Sequence, residues 1–131
     1  MIFFNKLRTA AEYYLKWVDF YNHGDLIQGL IWLRKSAELG YDEAEYNLGV
    51  AYYQGEIVLQ DYKQAAYWFE KSAQQGDVKA QYNLGLLYEQ GNGVPRNYQK
   101  ALFWYQKSAE QGDADAQYNL KLLRYKIQMN T

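Results

Sequence analysis

A 36-residue period runs through most of this 131-residue chain, and it limits the fold to a stack of similar units. Trp32, Trp68 and Trp104 recur at intervals of 36 residues. Residues 42–77 and 78–113 share 18 identities in 36 aligned pairs. Sequence periods of about 20–50 residues are typical of supersecondary units that bury a common core only by stacking on their neighbours.

Each unit has the pattern of two helices joined by a turn. In the third unit Asp77 is a suitable N-cap, and apolar residues follow it at intervals of three and four. A turn cluster that includes Pro95 breaks this helix, Asn97 can cap a second one, and Gly112 can end it in the left-handed conformation. The predicted helices span about 5–22, 25–39, 42–54, 61–75, 77–90, 97–111 and 113–129.

The predicted fold is an all-α, right-handed α-α superhelical solenoid in a single domain, residues 1–131. It has about three and a half helix-pair repeats, at about 5–40, 41–76 and 77–112, with a half repeat at 113–131. Gly49 and Gly85 share one repeat position and predict a close approach of a neighbouring helix. Lys121 replaces them in the last unit, and together with Arg124 and Lys126 it predicts a solvated end cap.

Composition argues against several classes of function. Lys plus Arg total 14 and Asp plus Glu total 15, and a net charge of −1 disfavours nucleic acid as a partner. The chain has no cysteine, and therefore neither a disulfide framework nor a thiolate site. It shows neither a secretory signal nor a run of about 20 apolar residues, so we expect a cytoplasmic protein with no membrane partner.

Catalytic, metal and cofactor sites are not expected. His23 is the one histidine of the chain and falls in a turn, so it cannot be part of a histidine cluster. Ser36, Ser72 and Ser108 share one repeat position, which predicts packing, and each hydroxyl can bond back to the carbonyl four residues earlier. A pair of carboxylates opposed across a cleft stays open as a route to catalysis. The prediction is a protein that is not an enzyme and holds no cofactor and no metal.

The pattern Ala44-x-x-x-Leu48-Gly49-x-x-Tyr52-x-x-Gly55 resembles the first helix of Sel1-like repeats, a family related to the tetratricopeptide repeats. The second helix matches the same family at Lys63, Ala65, Trp68, Phe69, Lys71, Ser72, Ala73 and Gly76. The resemblance covers nearly the whole chain beyond its first few residues. It implies that the first helix of each repeat lines the concave side of the solenoid, and that the protein is an adaptor or scaffold.

A stripe of aromatic and apolar residues recurs on one face of the first helices. Tyrosine combines a large rigid surface with a polar tip, which makes it a typical interface residue. Part of the stripe can instead pack between adjacent helices, and the asparagines beside it can bond either a ligand backbone or the next repeat. The predicted partner-binding residues are Tyr14, Val18, Tyr21, Tyr46, Asn47, Val50, Tyr53, Tyr82, Asn83, Leu86, Glu89, Tyr118, Leu122 and Tyr125.

The predicted function is that of a non-catalytic module that binds a peptide or another protein in its concave groove. A sharper alternative is a bacterial immunity protein, an inhibitor that occludes a toxin or effector enzyme. An enzyme or a nucleic-acid binder is the alternative from another class. A deep polar pocket with a shifted carboxylate would indicate the enzyme, and a continuous positive stripe the nucleic-acid binder. The exposed stripe also permits homo-oligomers, which are not predicted.

Overall fold

The structure is a computed structural model that describes the backbone of residues 2–131 and the side chains of residues 4–131. Within that part of the chain it contains seven helices and no strand. The first helices of the repeats are α1 (Ile2–Asn22), α3 (Asp42–Gln54), α5 (Val78–Gln90) and α7 (Ala114–Met129). The second helices are α2 (Leu26–Glu38), α4 (Tyr62–Gln74) and α6 (Tyr98–Glu110). Each helix packs on the next one along the chain, which confirms the predicted all-α repeat solenoid.

The helix ends follow the local chemistry of the sequence. The side chains that accept a hydrogen bond from the first turn of a helix belong to Asp25, Asp61, Asp77, Asn97 and Asp113. The second helices end at Gly40, Gly76 and Gly112, with φ angles of 89°, 98° and 98°. Glycine adopts this left-handed backbone without steric cost, so the next helix can begin at once.

Two glycines of the first helices form sockets for aromatic rings of the second helices. A Cβ atom added to Gly49 would lie 2.7 Å from the Phe69 ring, and one added to Gly85 would lie 2.5 Å from the Tyr105 ring. The first repeat reverses the arrangement. Trp17 stands at the repeat position of these glycines, and a Cβ atom added to Gly29 on α2 would lie 2.9 Å from its ring. In every helix pair, therefore, an aromatic ring on one helix packs on a glycine of the other helix.

The three repeated serines are buried, as the packing prediction required, but the predicted hydrogen-bond partner was wrong. Each hydroxyl donates to a residue of the preceding first helix, which is the first residue of α3 or α5 and a residue in the middle of α1, and not to the carbonyl four residues earlier. The acceptors are the Ala10 carbonyl for Ser36 (2.6 Å), the Asp42 carboxylate for Ser72 (2.5 Å) and the Val78 carbonyl for Ser108 (3.0 Å). The antiparallel packing of the two helices brings the end of one beside the start of the other, so each serine ties a helix pair together.

The two ends of the stack present different surfaces. On α1, three polar side chains are exposed: Glu12, Lys16 and Asp19. The same repeat positions on α3 carry buried apolar residues, which are Ala44, Leu48 and Ala51. On α7, the predicted cap residues Lys121, Arg124 and Lys126 are exposed, but so are large apolar side chains beside them. Among the helices of residues 2–131, none has the length and apolar character that crossing a bilayer requires.

Candidate functional site

All fourteen predicted binding residues lie on the first helices, α1, α3, α5 and α7. Four of them are strongly exposed: Tyr21 (54 %), Tyr118 (63 %), Leu122 (48 %) and Tyr125 (63 %). The other ten are half-buried. All four exposed residues lie on the terminal helices α1 and α7, whereas the half-buried ones include every predicted residue of α3 and α5, and Tyr14 and Val18 on α1.

Tyrosine hydroxyls and asparagine amides join the first helices of successive repeats. In each pair the asparagine amide donates to the hydroxyl of the repeat before it. The hydrogen-bonded pairs are Asn47 with Tyr14 (2.9 Å) and Asn119 with Tyr82 (3.2 Å), and the Asn83 amide lies beside the Tyr46 hydroxyl, where it lowers the pKa of Tyr46. Burial raises the pKa of all three tyrosines further above neutral pH, where the hydroxyl of an ordinary tyrosine is already protonated. Bonding to the adjacent repeat is one of the two roles that the sequence left open for these asparagines.

The half-buried tyrosines of α3 and α5 also pack on rings of the second helices. The Tyr46 and Phe69 ring centroids are 5.9 Å apart, and those of Tyr82 and Tyr105 are separated by the same distance. Tyr53 approaches Phe69 to 6.4 Å. Because these side chains contribute to the core, truncating them would alter folding as well as any binding.

At Glu89 a carboxylate replaces the tyrosine that the stripe carries in the other repeats. This carboxylate accepts a hydrogen bond from the buried Tyr105 hydroxyl (2.7 Å) and lies 3.7 Å from the Lys126 ammonium. Burial, together with the Glu89 carboxylate, raises the pKa of Tyr105 well above its ordinary value. The second repeat has Phe69 in place of Tyr105 and Tyr53 in place of Glu89. The hydroxyl and its acceptor therefore occur together, as burial of a polar group requires.

A groove of about 310 Å³ separates α1 from α3. Five of the predicted residues line it: Tyr14, Val18, Tyr21, Asn47 and Val50. The remaining lining residues, which sequence reasoning missed, are Trp17, Ala51, Gln54, Glu56 and Ile57. The Trp17 ring is almost fully buried, and its centroid lies 5.1 Å from that of Tyr21. This contact holds the Tyr21 side chain at the edge of the groove.

Two of the missed residues carried a signal in the sequence. Trp17 occupies the repeat position of Gly49 and Gly85, so a bulky ring there had to change its surroundings. Ile57 stands where the resembling family has a loop glycine, and its side chain now lines one end of the groove. Gln54 is the last residue of α3, and Glu56 lies in the loop after it. The contribution of Glu56 depends on how this loop folds back, for which the sequence gives no signal.

A second groove, of about 400 Å³, adjoins the first and shares Tyr14 and Asn47 with it. Charged side chains line it: the carboxylates of Glu43 and Asp77 and the ammonium of Lys79. These charges make this groove more polar than the one between α1 and α3. The two grooves together form a continuous band across α1, α3 and the start of α5.

The sign of catalysis named above was a deep polar pocket with a shifted carboxylate. Glu45, which is 3 % exposed, is a carboxylate with a shifted pKa, and it lines an open polar groove of about 290 Å³ together with Lys6, Glu38 and Lys71. Burial raises the pKa of Glu45 to about 7. The Gln75 amide, which donates to the carboxylate at 2.6 Å, opposes this shift by lowering the pKa. In the next repeat Gln81 occupies the same position and accepts the same bond from Gln111 (2.9 Å). Since an amide does the same work there, the carboxyl group at 45 is part of the contact between repeats.

Metal-binding geometry is not found in the part of the chain that the structure describes, where no three His, Cys, Asp or Glu side chains are close enough to hold an ion. The first helices present exposed rings, half-buried apolar side chains and hydrogen-bonding groups at the edges, a combination that is typical of contact surfaces.

The model of the Sel1 repeat family matches residues 21–41, 42–77 and 78–113. No curated protein gives a significant match. Among solved structures, a Sel1 repeat protein from Oxalobacter formigenes is 41 % identical, with a TM-score of 0.75 over 76 % of this chain and 29 % of that protein. A protective antigen from uropathogenic Escherichia coli, which displays an SLR fold, is 40 % identical, with a TM-score of 0.71 over 86 % of this chain and 23 % of that protein.

A third solved structure is closer to this chain in length. Cysteine-rich protein B from Helicobacter pylori is 26 % identical, with a TM-score of 0.67, and the match covers 84 % of this chain and 91 % of that protein. By contrast, this chain spans less than a third of the Oxalobacter protein and of the Escherichia antigen.

Proposed function

Because this chain belongs to the Sel1 repeat family, we propose that it is a non-catalytic module that binds a peptide or a loop of a partner protein across its first helices. Sel1 repeat proteins are in general protein-interaction scaffolds. The observation that carries the proposal for this chain is the groove between α1 and α3, with the exposed ring of Tyr21 at its edge.

The size and chemistry of this groove suit one or two side chains of a partner segment. A volume of about 310 Å³ lies at the small end of ligand sites, and Trp17, Val18 and Val50 make much of its lining apolar. An apolar side chain inserted there would leave water and contact the Tyr21 ring. Gln54 and Glu56 are exposed beside the groove and can bond the backbone or a basic side chain of the same segment.

An adaptor and an inhibitor that occludes a toxin or effector enzyme would both use this surface. The two roles differ in the identity of the partner and in whether the partner loses activity when bound. Capture with the affinity-tagged chain from its native host, followed by mass spectrometry, identifies the partner. An activity assay of that partner with and without the chain then separates the two roles.

The test of the groove uses Tyr21→Ala with the captured partner. Truncation of an aromatic side chain that a partner covers typically costs about 2 kcal/mol or more at a binding hot spot, so we expect the affinity to fall at least ~30-fold in calorimetry. Tyr67→Ala is the matched control, because Tyr67 is 52 % exposed and its ring also contacts a tryptophan, Trp68, but it lies on a second helix. We expect this control to bind like the unmodified chain.

Thermal unfolding of both variants shows whether they remain folded before affinity is compared. A loss of affinity in Tyr67→Ala with none in Tyr21→Ala would move the partner to the second helices and refute the proposal.

A further inference from the structure

The open groove of about 290 Å³ beside Glu45 lies between the end of α2 and the middle of α4, and we call it the α2–α4 groove. It shares no lining residue with the two grooves on the first helices. The helices α2, α3 and α4 that form it each pack on the helix before and the helix after them. The groove is therefore formed inside the stack and not at one of its ends.

The carboxyl group of Glu45 is a feature of this groove that the fold does not require. Gln81 and Gln117 occupy the same position in the next two repeats, and each amide donates to a carbonyl near the end of a second helix. An amide thus serves the contact between repeats, whereas a buried carboxylate costs desolvation energy. A group that lowers stability and is not needed by the fold is typical of a functional site.

Charges of both signs line the groove without direct pairing. The Lys71 ammonium lies 5.2 Å from the centroid of the Tyr67 ring. It is near enough to Glu45 to lower the pKa of that carboxyl, but the two side chains form no ion pair in the described part of the chain. Lys6 and Glu38 add one charge of each sign to the lining. Such a groove is complementary to a ligand that itself carries one positive and one negative group.

The indole N–H of Trp68 is an independent indication of a ligand. Trp68 lines the groove and is 7 % exposed. Among the side chains that the structure describes, its nitrogen is the buried polar atom that has no hydrogen-bond partner. Buried donors in native proteins are nearly always paired, so an unpaired donor here favours an acceptor supplied by a bound molecule.

We propose that the α2–α4 groove binds a small zwitterion of the α-amino acid type. The ammonium group of the ligand pairs with Glu45, because Gln75 bonds Oε1 of that carboxylate and leaves Oε2 for the ligand. The carboxylate of the ligand accepts from the Lys71 ammonium and the Trp68 indole N–H. An apolar side chain of the ligand packs on the half-exposed Tyr67 ring. A volume of about 290 Å³ lies at the small end of ligand sites, which suits one amino acid.

Isothermal titration calorimetry of the full chain with L-phenylalanine and L-leucine tests this proposal. Two analogues of phenylalanine separate the charges, since phenethylamine lacks the carboxylate and 3-phenylpropionate lacks the ammonium. We expect each analogue to bind at least ~10-fold more weakly than L-phenylalanine, because each loses a charge-assisted hydrogen bond.

Glu45→Gln should lower the affinity for L-phenylalanine at least ~10-fold while the chain stays folded, because Gln81 makes the same contact in the next repeat. Lys71→Met should lower it by a similar factor. Lys107→Met is the matched control, since its ammonium lies 5.1 Å from the Phe103 ring in the equivalent arrangement of the next repeat. We expect this control to bind like the unmodified chain.

Binding should also weaken ~10-fold from pH 8 to pH 6, because the Glu45 carboxyl, with a pKa of about 7, is mostly protonated at pH 6. The other charged groups that face this carboxyl are Asp42 on α3, Glu38 on α2, Lys71 on α4 and Lys6 on α1. Glu45→Gln should remove the pH dependence, which assigns it to Glu45 rather than to these neighbours.

Nuclear magnetic resonance of the indole N–H groups locates the ligand. Of the four tryptophans, Trp68 should show the largest change in chemical shift. No saturation by either amino acid up to ~10 mM would overturn the proposal, as would analogues that bind as tightly as L-phenylalanine. Unchanged affinity in Glu45→Gln, or an equal loss in Lys107→Met, would also overturn it. Partner capture and Tyr21→Ala test the groove between α1 and α3 separately.

Discussion

Glu45 and Gln81 occupy the same repeat position and receive the same hydrogen bond, but only one of them has a charge to bury. Gln81 uses its amide twice: its oxygen accepts from Gln111 and its nitrogen donates to the Ala73 carbonyl at 3.2 Å. An ionised carboxylate can accept but cannot donate. With a carboxyl group at position 45 and an amide at position 81, the hydrogen bond between repeats depends on pH at Glu45 and does not depend on pH at Gln81.

Glu45→Gln should stabilise the protein at alkaline pH. The pKa of Glu45 is about 7 in the folded chain against an ordinary 4.5, so between these values the folded state binds more protons than the unfolded state. The free energy of unfolding then falls as pH rises through this window, by up to about 3 kcal/mol. Glutamine removes this loss. Urea unfolding at pH 4.5 and pH 8 should show a gain for Glu45→Gln mainly at pH 8.

Gln81→Glu is the reciprocal control and should introduce a similar loss of stability at pH 8. If both variants kept the pH dependence of the unmodified chain, the buried carboxyl group would not be its source.

Between elements, the glycine sockets set how closely the two helices of a repeat approach. Gly85→Leu would place a side chain inside the Tyr105 ring, so we expect a cost of about 3 kcal/mol or more in the free energy of unfolding. Lys121→Leu changes the same repeat position where the side chain is exposed, and it should cost less than about 0.5 kcal/mol. Chemical denaturation compares the two, and equal midpoints would contradict the socket.

The serine ties are the second contact that joins a helix pair. Ser108→Ala removes the hydroxyl that donates to the Val78 carbonyl, and we expect a cost of about 1–2 kcal/mol because the site is buried. Thr131→Ala removes a comparable hydroxyl-to-carbonyl bond, to Gln128, at an exposed position. Its cost should be near zero by thermal unfolding. A similar cost for both substitutions would mean that the serine bond does not hold α6 to α5.

At the scale of the whole molecule, stability should be highest in the middle of the stack. Each helix contacts mainly its neighbours along the chain, so α2 to α6 are supported from both sides and α1 and α7 from one. Amide hydrogen exchange should therefore be slowest in α4 and α5 and fastest toward the two ends. Uniform protection across all seven helices would show that the stack opens only as a single unit.

The number of repeats, the order of the helices and most helix ends were determined by the sequence itself, because caps such as Asp77 and terminal glycines such as Gly76 act on the backbone beside them. The candidate site was only partly predictable. The stripe, whose members are spaced by four and three residues within a helix, places Tyr46, Tyr82 and Tyr118 on the same face of α3, α5 and α7. It does not say which side chains pack against that face.

Only the tertiary structure decided that Tyr46 packs on Phe69 while Tyr118 stays exposed, because the neighbour of each residue depends on how successive repeats are offset and on where the stack ends. The groove beside Tyr21 likewise needs α1 and α3, which belong to different repeats, to come together.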